Sequence, residues 1–273
     1  MKTIKKAKLI YLLFFTFIFQ APSFGQEAPE NVYVEIGCIK SKSNELGSWL
    51  KENGIKFNKA AQEAGAVLDW VLVETMYPNG EECKCDYRMV TVFTDMKQLD
   101  MMIAPDFGPR TAGKAFGDKA LEMYNTFQSM ADFVGSQIYI LRSSALQGPS
   151  YSAMSMINFI QVDDDNKSDY RKIVDDVWMP AIREAVKAGH LRDFSVWERI
   201  MGGADDEGNY ITVLDFDSFT YLDNMKNMDF PTIFKKVHPD KDLKEIREQS
   251  DQLSEDVKQE IVRLVAALNK PEN

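Results

Sequence analysis

The 273-residue chain is 45% hydrophobic and carries 17 Phe, 10 Tyr and 4 Trp, a composition that excludes an intrinsically disordered protein. Three cysteines and 15 glycines exclude a disulfide-dense scaffold and a collagen-like repeat. The formal net charge of −10 disfavours nucleic acid and anionic membranes as partners, because their phosphate groups repel an acidic surface. A chain of this length forms one large domain or two small ones.

Residues 1–25 have the layout of a secretory signal peptide, with a basic start, an apolar run over residues 9–19 and small residues before Gln26. The apolar run is too short to span a bilayer, which takes about 20 residues. We therefore expect cleavage after Gly25, export to the periplasm or out of the cell, and no membrane attachment of the mature chain. Cleavage removes four lysines and leaves 28 basic against 42 acidic side chains, a net charge of −14.

The rest of the chain is predicted to repeat one series of elements at an offset of about 122–124 residues. In the first copy, strands are predicted over residues 32–38, 67–76, 86–94 and 137–142, and helices over residues 46–64 and 111–131. In the second copy, strands are predicted over residues 154–160, 191–201 and 210–215, and helices over residues 170–186 and 241–260. The segment 259–264 fits either a final strand or the last turns of a helix.

The predicted order is strand, helix, strand, strand, helix, strand, which is the order of a ferredoxin-like unit. Such a unit covers one face of its antiparallel sheet with helices and leaves the other face bare. Two bare faces in one chain are expected to cover each other. The sequence therefore predicts an α+β fold of two tandem ferredoxin-like (βαββαβ) repeats, residues 26–148 and 149–273, packed sheet to sheet.

This arrangement resembles the dimeric α+β barrel superfamily in its fused, pseudo-dimeric form. That superfamily includes antibiotic-biosynthesis monooxygenase-like, EthD-like and NIPSNAP-like proteins. The resemblance lies in the architecture and not in a catalytic motif, and a fold alone does not fix a function. It implies a cavity between the two sheets that binds a small apolar or aromatic molecule.

The three cysteines are candidates for one disulfide bond. Cys38 ends the first predicted strand, and Cys83 and Cys85 precede the third. If these strands are antiparallel neighbours, the sulfur atoms come close, and an oxidising compartment favours a bond from Cys38 to either Cys83 or Cys85. An odd count leaves one cysteine unpaired. The spacing is poor for a zinc site, which needs four ligands.

Polar side chains inside the predicted strands are the candidates for a ligand site. In the first strand Val34 alternates with Tyr33 and Glu35, which point into the cavity if the valines face the helices. A carboxylate there would act as a base and an arginine would stabilise an oxyanion, although the alternation alone does not say which face is inside. The candidate catalytic residues are Glu35, Glu74, Arg88 and Arg199, and the candidate ligand-binding residues are Tyr33, Trp70, Tyr139, Asn158 and Trp197.

No cofactor is expected. The two histidines, His190 and His238, fall in predicted turns or loops that lack the apolar pocket of a haem ligand. The predicted function is an exported barrel that binds a small molecule and, in its enzymatic form, catalyses a cofactor-free monooxygenase or isomerase-like reaction. The alternative is a non-catalytic structural or interaction protein whose barrel is filled with side chains, and the volume of the cavity separates the two.

Overall fold

Eight strands form one closed barrel in the computed structural model, which describes residues 31–78, 83–146, 151–203 and 207–269. The predicted signal peptide lies outside the described residues. The strands are β1 (Tyr33–Ser41), β2 (Asp69–Tyr77), β3 (Tyr87–Phe93), β4 (Ala131–Ser144), β5 (Met154–Gln161), β6 (Asp193–Gly202), β7 (Tyr210–Phe216) and β8 (Glu255–Ala267). Their order around the barrel is β1-β3-β2-β8-β5-β7-β6-β4.

Short helices connect the strands and pack on the outside of the barrel. They are α1 (Leu46–Trp49), α2 (Ile55–Glu63), α3 (Met96–Ile103), α4 (Phe107–Phe116), α5 (Ala120–Met130), α6 (Lys167–Ile173), α7 (Met179–Lys187), α8 (Phe219–Lys226), α9 (Phe230–Val237) and α10 (Leu243–Leu253). Two π-helical segments, Leu50–Gly54 and Val174–Trp178, join α1 to α2 and α6 to α7. Within the described ranges, no helix has the length and apolar character needed to cross a membrane.

Two predicted helices are shorter than expected, and the sequence supplies the reasons. The helix predicted over residues 111–131 is divided into α4 and α5 at Gly117, whose φ of 59° ends α4. The helix predicted over residues 241–260 begins at the Asp242 cap and ends at Leu253, because Ser254 adopts an extended conformation. The ambiguous segment 259–264 is therefore part of β8.

The two halves of the chain contribute adjacent sets of four strands. The first half supplies β4-β1-β3-β2 and the second supplies β8-β5-β7-β6. Antiparallel pairing of β2 with β8 and of β4 with β6 joins the two sets. All strand edges are therefore paired around the ring, which avoids the exposed edges of an open sheet. The α+β class predicted from the sequence is confirmed.

Equivalent polar groups stand at the two joins between the halves. The carboxylate of Asp69, the first residue of β2, accepts the backbone N–H groups of Trp70 and Asn269. Asp193, the first residue of β6, accepts the backbone N–H groups of Phe194 and Leu146 in the same way. Each carboxylate thus satisfies backbone donors from both halves where the strands begin to pair.

The barrel interior is lined by the face of β1 that carries Val34 and Ile36. These side chains pack with apolar side chains from strands on all sides of the ring. The buried members of this interior cluster are Val34, Ile36, Val73, Tyr139, Ile157, Phe159, Ile211 and Val262. The condition under which Tyr33 and Glu35 would point into the barrel, that the valines of β1 face the helices, is therefore not met. Alternation is symmetric between the two faces of a strand, so it does not reveal which one a closed barrel turns inward.

Candidate functional site

Seven polar side chains converge at one end of the barrel interior, close to the ends of β1, β5 and β6. They come from β3, β4, β6, β8 and the turn before β7, so no single segment of the chain builds the group. We call this group the polar mouth. Its members are Arg88, Gln137, Tyr139, Arg199, Glu207, Lys258 and Glu260.

Strand alternation places these charged side chains inside the barrel. On β3, Arg88 shares a face with Val90, which packs against the interior cluster. On β8, Lys258 and Glu260 share a face with Val262 for the same reason. Each of these two strands begins with charged positions at the mouth and continues with apolar positions deeper in the barrel.

Arg88 and Glu260 form a buried, bidentate ion pair. Nε of Arg88 donates to Oε2 of Glu260 at 2.7 Å, and Nη2 donates to Oε1 at 2.8 Å. The two side chains are 4% and 0% exposed. Burial alone would raise the pKa of Glu260, but the hydrogen bonds and charges of Arg88 and Lys258 outweigh it and hold that pKa below its ordinary value. Glu260 is therefore ionised at neutral pH.

Lys258 connects this pair to the solvent. Its ammonium nitrogen lies 2.5 Å from Oε1 of Glu260, and its side chain is 22% exposed. The ring of Phe159 holds both cations, with Cζ of Arg88 5.3 Å and Nζ of Lys258 5.2 Å from the ring centroid. Such cation–π contacts fix the positions of the two charged groups at the mouth.

A chain of neutral and charged groups lies beside the ion pair. The hydroxyl of Tyr139 donates to Oε1 of Gln137 at 2.5 Å, and Nε2 of Gln137 donates to the carboxylate of Glu207. Burial raises the pKa of Tyr139, so its hydroxyl stays protonated at neutral pH. A Cβ atom on Gly203 would lie 2.5 Å from Nη1 of Arg199 and 2.7 Å from Nε2 of Gln137. The backbone of this turn therefore packs directly on both side chains.

The polar mouth is rich in donors. Two cations hold Glu260 in its ionised form, which weakens it as a general base. The guanidinium and ammonium groups instead suit the binding of an oxyanion or a carbonyl oxygen. The arrangement thus favours recognition of an oxygen-bearing ligand over proton abstraction by a buried carboxylate.

Four of the candidate residues from the sequence face the barrel interior. Arg88, Tyr139 and Arg199 belong to the polar mouth. Trp197 packs against the interior cluster, and its Nε1 donates to the hydroxyl of Ser195 at 2.8 Å. The structure therefore brings together the two predicted arginines and two of the predicted aromatic residues.

The predicted placement of Tyr33 and Glu35 inside the barrel is wrong. Tyr33 stacks on Phe93 with the ring centroids 5.5 Å apart, in a cluster that packs against α3 on the outside of the barrel. Glu35 lies between Val34 and Ile36 along β1, so it points to the same outer face as Tyr33.

Three further candidates also lie on the outer face. Trp70 is buried under α1 and its neighbouring π-helical segment, where it is a core residue. Glu74 forms an ion pair with Arg263 of the neighbouring strand. The side-chain amide of Asn158 donates to the hydroxyl of Thr212 at 3.0 Å. A role for Glu35 or Glu74 as a base inside the barrel is therefore wrong.

The cysteines fasten the segment before β3 to β1. Cys38 and Cys85 form a disulfide bond, and Cys83 is a buried free thiol. The thiol of Cys83 donates to the carbonyl oxygen of Cys85 at 2.9 Å. Cys38 lies directly opposite Arg88 in the β1–β3 pairing, so the disulfide bond anchors the chain just before that arginine.

Four members of the polar mouth were not predicted from the sequence: Gln137, Glu207, Lys258 and Glu260. Glu260 carried a usable signal, since it shares a period-2 pattern with Val262 and Leu264. The same segment also fits an amphipathic helix, and if it is assigned to a helix the period-2 pattern has no meaning. Glu207 lies in a predicted turn, where an acidic residue is unremarkable in sequence.

The centre of the barrel is filled with side chains. The interior cluster is continuous across all eight strands, and fully buried residues such as Tyr139 and Ile211 occupy it. Two depressions, of about 610 and 360 Å³, lie on the outer helices, one along α5 and the other between α6 and α10. A ligand of the barrel would therefore bind at the mouth and not at the centre.

The histidines lie away from the polar mouth. His190 is exposed after α7, and Nε2 of His238 makes a hydrogen bond with the carbonyl oxygen of Val177 at 2.9 Å. Among the residues that the structure describes, no group of three or more His, Cys, Asp or Glu side chains is arranged to hold a metal ion.

Solved structures share this architecture, whereas no protein-family model and no curated protein matches the chain. A "putative monooxygenase" from Lactobacillus acidophilus NCFM has a TM-score of 0.53 at 11% identity, over 87% of this chain and 96% of that one. A "putative monooxygenase" from Fusobacterium nucleatum has a TM-score of 0.53 at 10% identity, over 89% and 95%. An "anthrone oxidase-like protein" has a TM-score of 0.50 at 11% identity, also over 89% and 95%.

These three proteins share the α+β barrel fold of this chain. At such low sequence identity, the structural similarity shows a shared fold and does not show a shared reaction. The chain described here has the dimeric α+β barrel fold.

Proposed function

We propose that this protein binds a small molecule at the polar mouth of its barrel. The observation that carries the proposal is the convergence of seven polar side chains, including a fully buried ion pair, on one end of an otherwise apolar interior. Ligand sites are typically apolar surfaces with a few converging polar groups that orient the ligand. The polar mouth, bordered by Phe159 and Trp197, has this composition.

The ion pair itself supports a functional role. Moving a carboxylate and a guanidinium out of water costs several kcal/mol per ion, which a buried pair often does no more than recover. Apolar side chains at positions 88 and 260 would continue the interior cluster without this cost. Stability alone therefore does not explain the pair, whereas the positioning of donors for a ligand would explain it.

A buried hydroxyl near the mouth also lacks a partner. Oγ1 of Thr75 is buried and makes no hydrogen bond within the part of the chain that the structure describes. Thr75 shares its face of β2 with Val73 of the interior cluster. Native proteins rarely leave such a group unsatisfied, and a bound ligand or water would satisfy it.

A cofactor-free oxygenation at the same mouth is a second candidate. The names of the two monooxygenase structures and of the anthrone oxidase-like protein favour it. In such a reaction Arg88 and Arg199 would stabilise an oxyanion of the substrate. The alternative, a non-catalytic protein with a filled barrel, is supported by one observation, the packed interior cluster.

The proposal is tested by comparing two arginine variants of the chain from residue 26. A panel of small aromatic molecules is screened by thermal shift, and hits are titrated by ligand-observed NMR. Arg199→Met is expected to weaken binding by about tenfold or more, because a charge-assisted hydrogen bond is lost. Arg110→Met, an exposed residue of α4 paired with Asp106, is the matched control and should leave binding unchanged.

Equal affinities of the two variants would contradict the proposal. So would a complete absence of binders together with native mass spectra that show no co-purified molecule. For the oxygenation candidate, consumption of dioxygen is measured with each confirmed binder, and a lack of consumption leaves binding as the function.

We also propose that the two halves are tandem ferredoxin-like repeats, with the boundary between residues 148 and 149. Corresponding features recur at a constant offset, including the π-helical segments at Leu50–Gly54 and Val174–Trp178 and the carboxylates of Asp69 and Asp193. Export to the periplasm or out of the cell remains a proposal from residues 1–25, and the Cys38–Cys85 disulfide bond supports it.

A further inference from the structure

We infer that the ligand of the polar mouth is a small aromatic carboxylate, and that its carboxylate meets Lys258 before the buried pair of Arg88 and Glu260. This inference rests on the proposed function, because it names the class of ligand for the same site. It follows from the balance of donors and acceptors at the mouth, the exposure of its members and the position of Phe159.

Most acceptors of the polar mouth already have a partner. The two oxygens of Glu260 accept two N–H groups of Arg88, and one of them also contacts the ammonium group of Lys258. Oε1 of Gln137 accepts the hydroxyl of Tyr139, and the carboxylate of Glu207 accepts Nε2 of Gln137. A ligand that brings further donors would find few acceptors to receive them.

Donors are in excess at the same place. Arg88 carries five N–H donors and Lys258 carries three, whereas their described contacts place only three donor groups on Glu260. A carboxylate would supply acceptor oxygens for these remaining donors.

Among Arg88, Lys258 and Glu260, the exposure of the side chains sets the order of contact. The side chains of Arg88 and Glu260 are 4% and 0% exposed, whereas that of Lys258 is 22% exposed. Lys258 is held in place by Glu260 and by the ring of Phe159, so its partly exposed ammonium group can bind an anion at little entropic cost. An incoming anion therefore reaches Lys258 before the buried pair.

The surroundings of Lys258 favour an aromatic ligand. Phe159 and Trp197 both pack in the interior at this level, and a flat apolar body would extend the cluster that they begin. The acidic surface of the protein does not exclude an anion, because charges beyond about 8–10 Å are largely screened at physiological ionic strength. Contacts within the mouth outweigh that distant repulsion.

The test compares two probes that differ in charge and hardly in shape. The probes 1-naphthoate and 1-naphthamide are titrated into the chain from residue 26 by isothermal calorimetry, and the bound position is mapped by backbone amide shifts. The wild-type chain is expected to bind naphthoate about tenfold or more tightly than naphthamide. Lys258→Met should reduce the affinity for naphthoate to the level for naphthamide.

Two further variants serve as controls. Lys258→Arg should recover most of the preference for naphthoate, because it restores a cation over Phe159. Lys244→Met changes an 86% exposed lysine of α10 and should leave both affinities as in the wild type. Circular dichroism of each variant confirms that the fold is retained.

The outcomes separate this inference from the proposed function. Equal affinities of the wild-type chain for the two probes overturn the inference and leave the mouth as a site for neutral ligands. An unchanged preference for naphthoate in Lys258→Met overturns the role of Lys258. No binding of either probe, combined with no binder in the wider aromatic panel, overturns the proposed function as well.

Discussion

The ion pair between Arg88 and Glu260 allows a sharp test of the physical argument. Both side chains are almost fully buried, and the contact is bidentate. Removing one member of such a pair strands the other charge in the interior and costs about 3–5 kcal/mol of unfolding free energy. Replacing both members with apolar side chains is often neutral, or stabilising by about 1–4 kcal/mol.

The geometry ranks the single variants. Glu260→Gln removes the carboxylate that holds both Arg88 and Lys258, whereas Arg88→Met leaves Glu260 with its contact to Lys258. We therefore expect the loss of unfolding free energy to lie in the upper half of the range of about 3–5 kcal/mol for Glu260→Gln and in the lower half for Arg88→Met. The unfolding free energy of the double variant Arg88→Met/Glu260→Leu is expected within about 1 kcal/mol of the wild-type value. Lys258 is partly exposed, so its ammonium group can be hydrated when Glu260 is removed.

The assay is urea unfolding of the chain from residue 26, followed by tryptophan fluorescence, with ligand titrations on the same variants. The double variant should fold and yet lose the ligand. If the double variant lost as much unfolding free energy as the two single variants together, the claim that the pair is dispensable for stability would be refuted. Ligand binding by a stable double variant would refute its role at the mouth.

Three further changes probe the mouth, its anchor and the outer layer. Gly203→Ala and Gly65→Ala both place a Cβ atom on a residue with positive φ, which costs about 1–3 kcal/mol of strain. Only the Cβ atom at position 203 contacts Arg199, so only Gly203→Ala should weaken ligand binding in a titration. In a chain that already carries Cys83→Ser, Cys85→Ser removes the disulfide bond to Cys38, which spans 47 residues. The unfolding free energy measured in non-reducing urea should fall by about 4 kcal/mol. An unchanged unfolding free energy would contradict the chain-entropy account of the bond. Trp70→Ala should cost about 3–5 kcal/mol in the same assay and leave ligand affinity unchanged, and a changed affinity would place the site on the outer face.

The pH dependence of stability follows from the lowered pKa of Glu260. A carboxyl group whose pKa is lower in the folded than in the unfolded chain adds stability above its unfolded pKa of about 4.3, and that stability is lost as the pH falls through the folded value. The wild type is therefore expected to lose stability more steeply than Arg88→Met/Glu260→Leu below about pH 4.3. Urea unfolding at a series of pH values measures this, and parallel curves would contradict the assignment.

The order of the elements could be predicted from the sequence because it depends on local patterns. Period-2 runs mark the strands, and the glycines at positions 65 and 189 end their helices with φ values of 76° and 78°. The last strand was ambiguous, because residues 243–264 fit an apolar stripe of helical period as well as a strand. Pairing with β2 and β5 gives β8 its hydrogen bonds, and this tertiary effect is not visible in the segment itself.

The site was predicted in part, for a different physical reason. Arg88, Tyr139 and Arg199 stood out because polar groups interrupt apolar strands, and a buried polar group needs a partner. Glu35 and Glu74 stood out for the same reason, but they lie on the opposite face of their strands. Only the closure of the ring shows which face is internal, and the partner of Arg88 lies 172 residues away in sequence.

The number of strands limits where a ligand can bind in this fold. An eight-stranded barrel has an interior just wide enough to be filled by side chains or to hold one small ligand. In this chain, buried residues such as Val34, Ile211 and Val262 occupy the interior, so its central part is core. The mouth is then the place where the interior meets water and where buried charges can contact a ligand from solution. Replacing Phe159 with alanine would therefore open space beneath the two cations and move the aromatic part of a ligand deeper into the barrel.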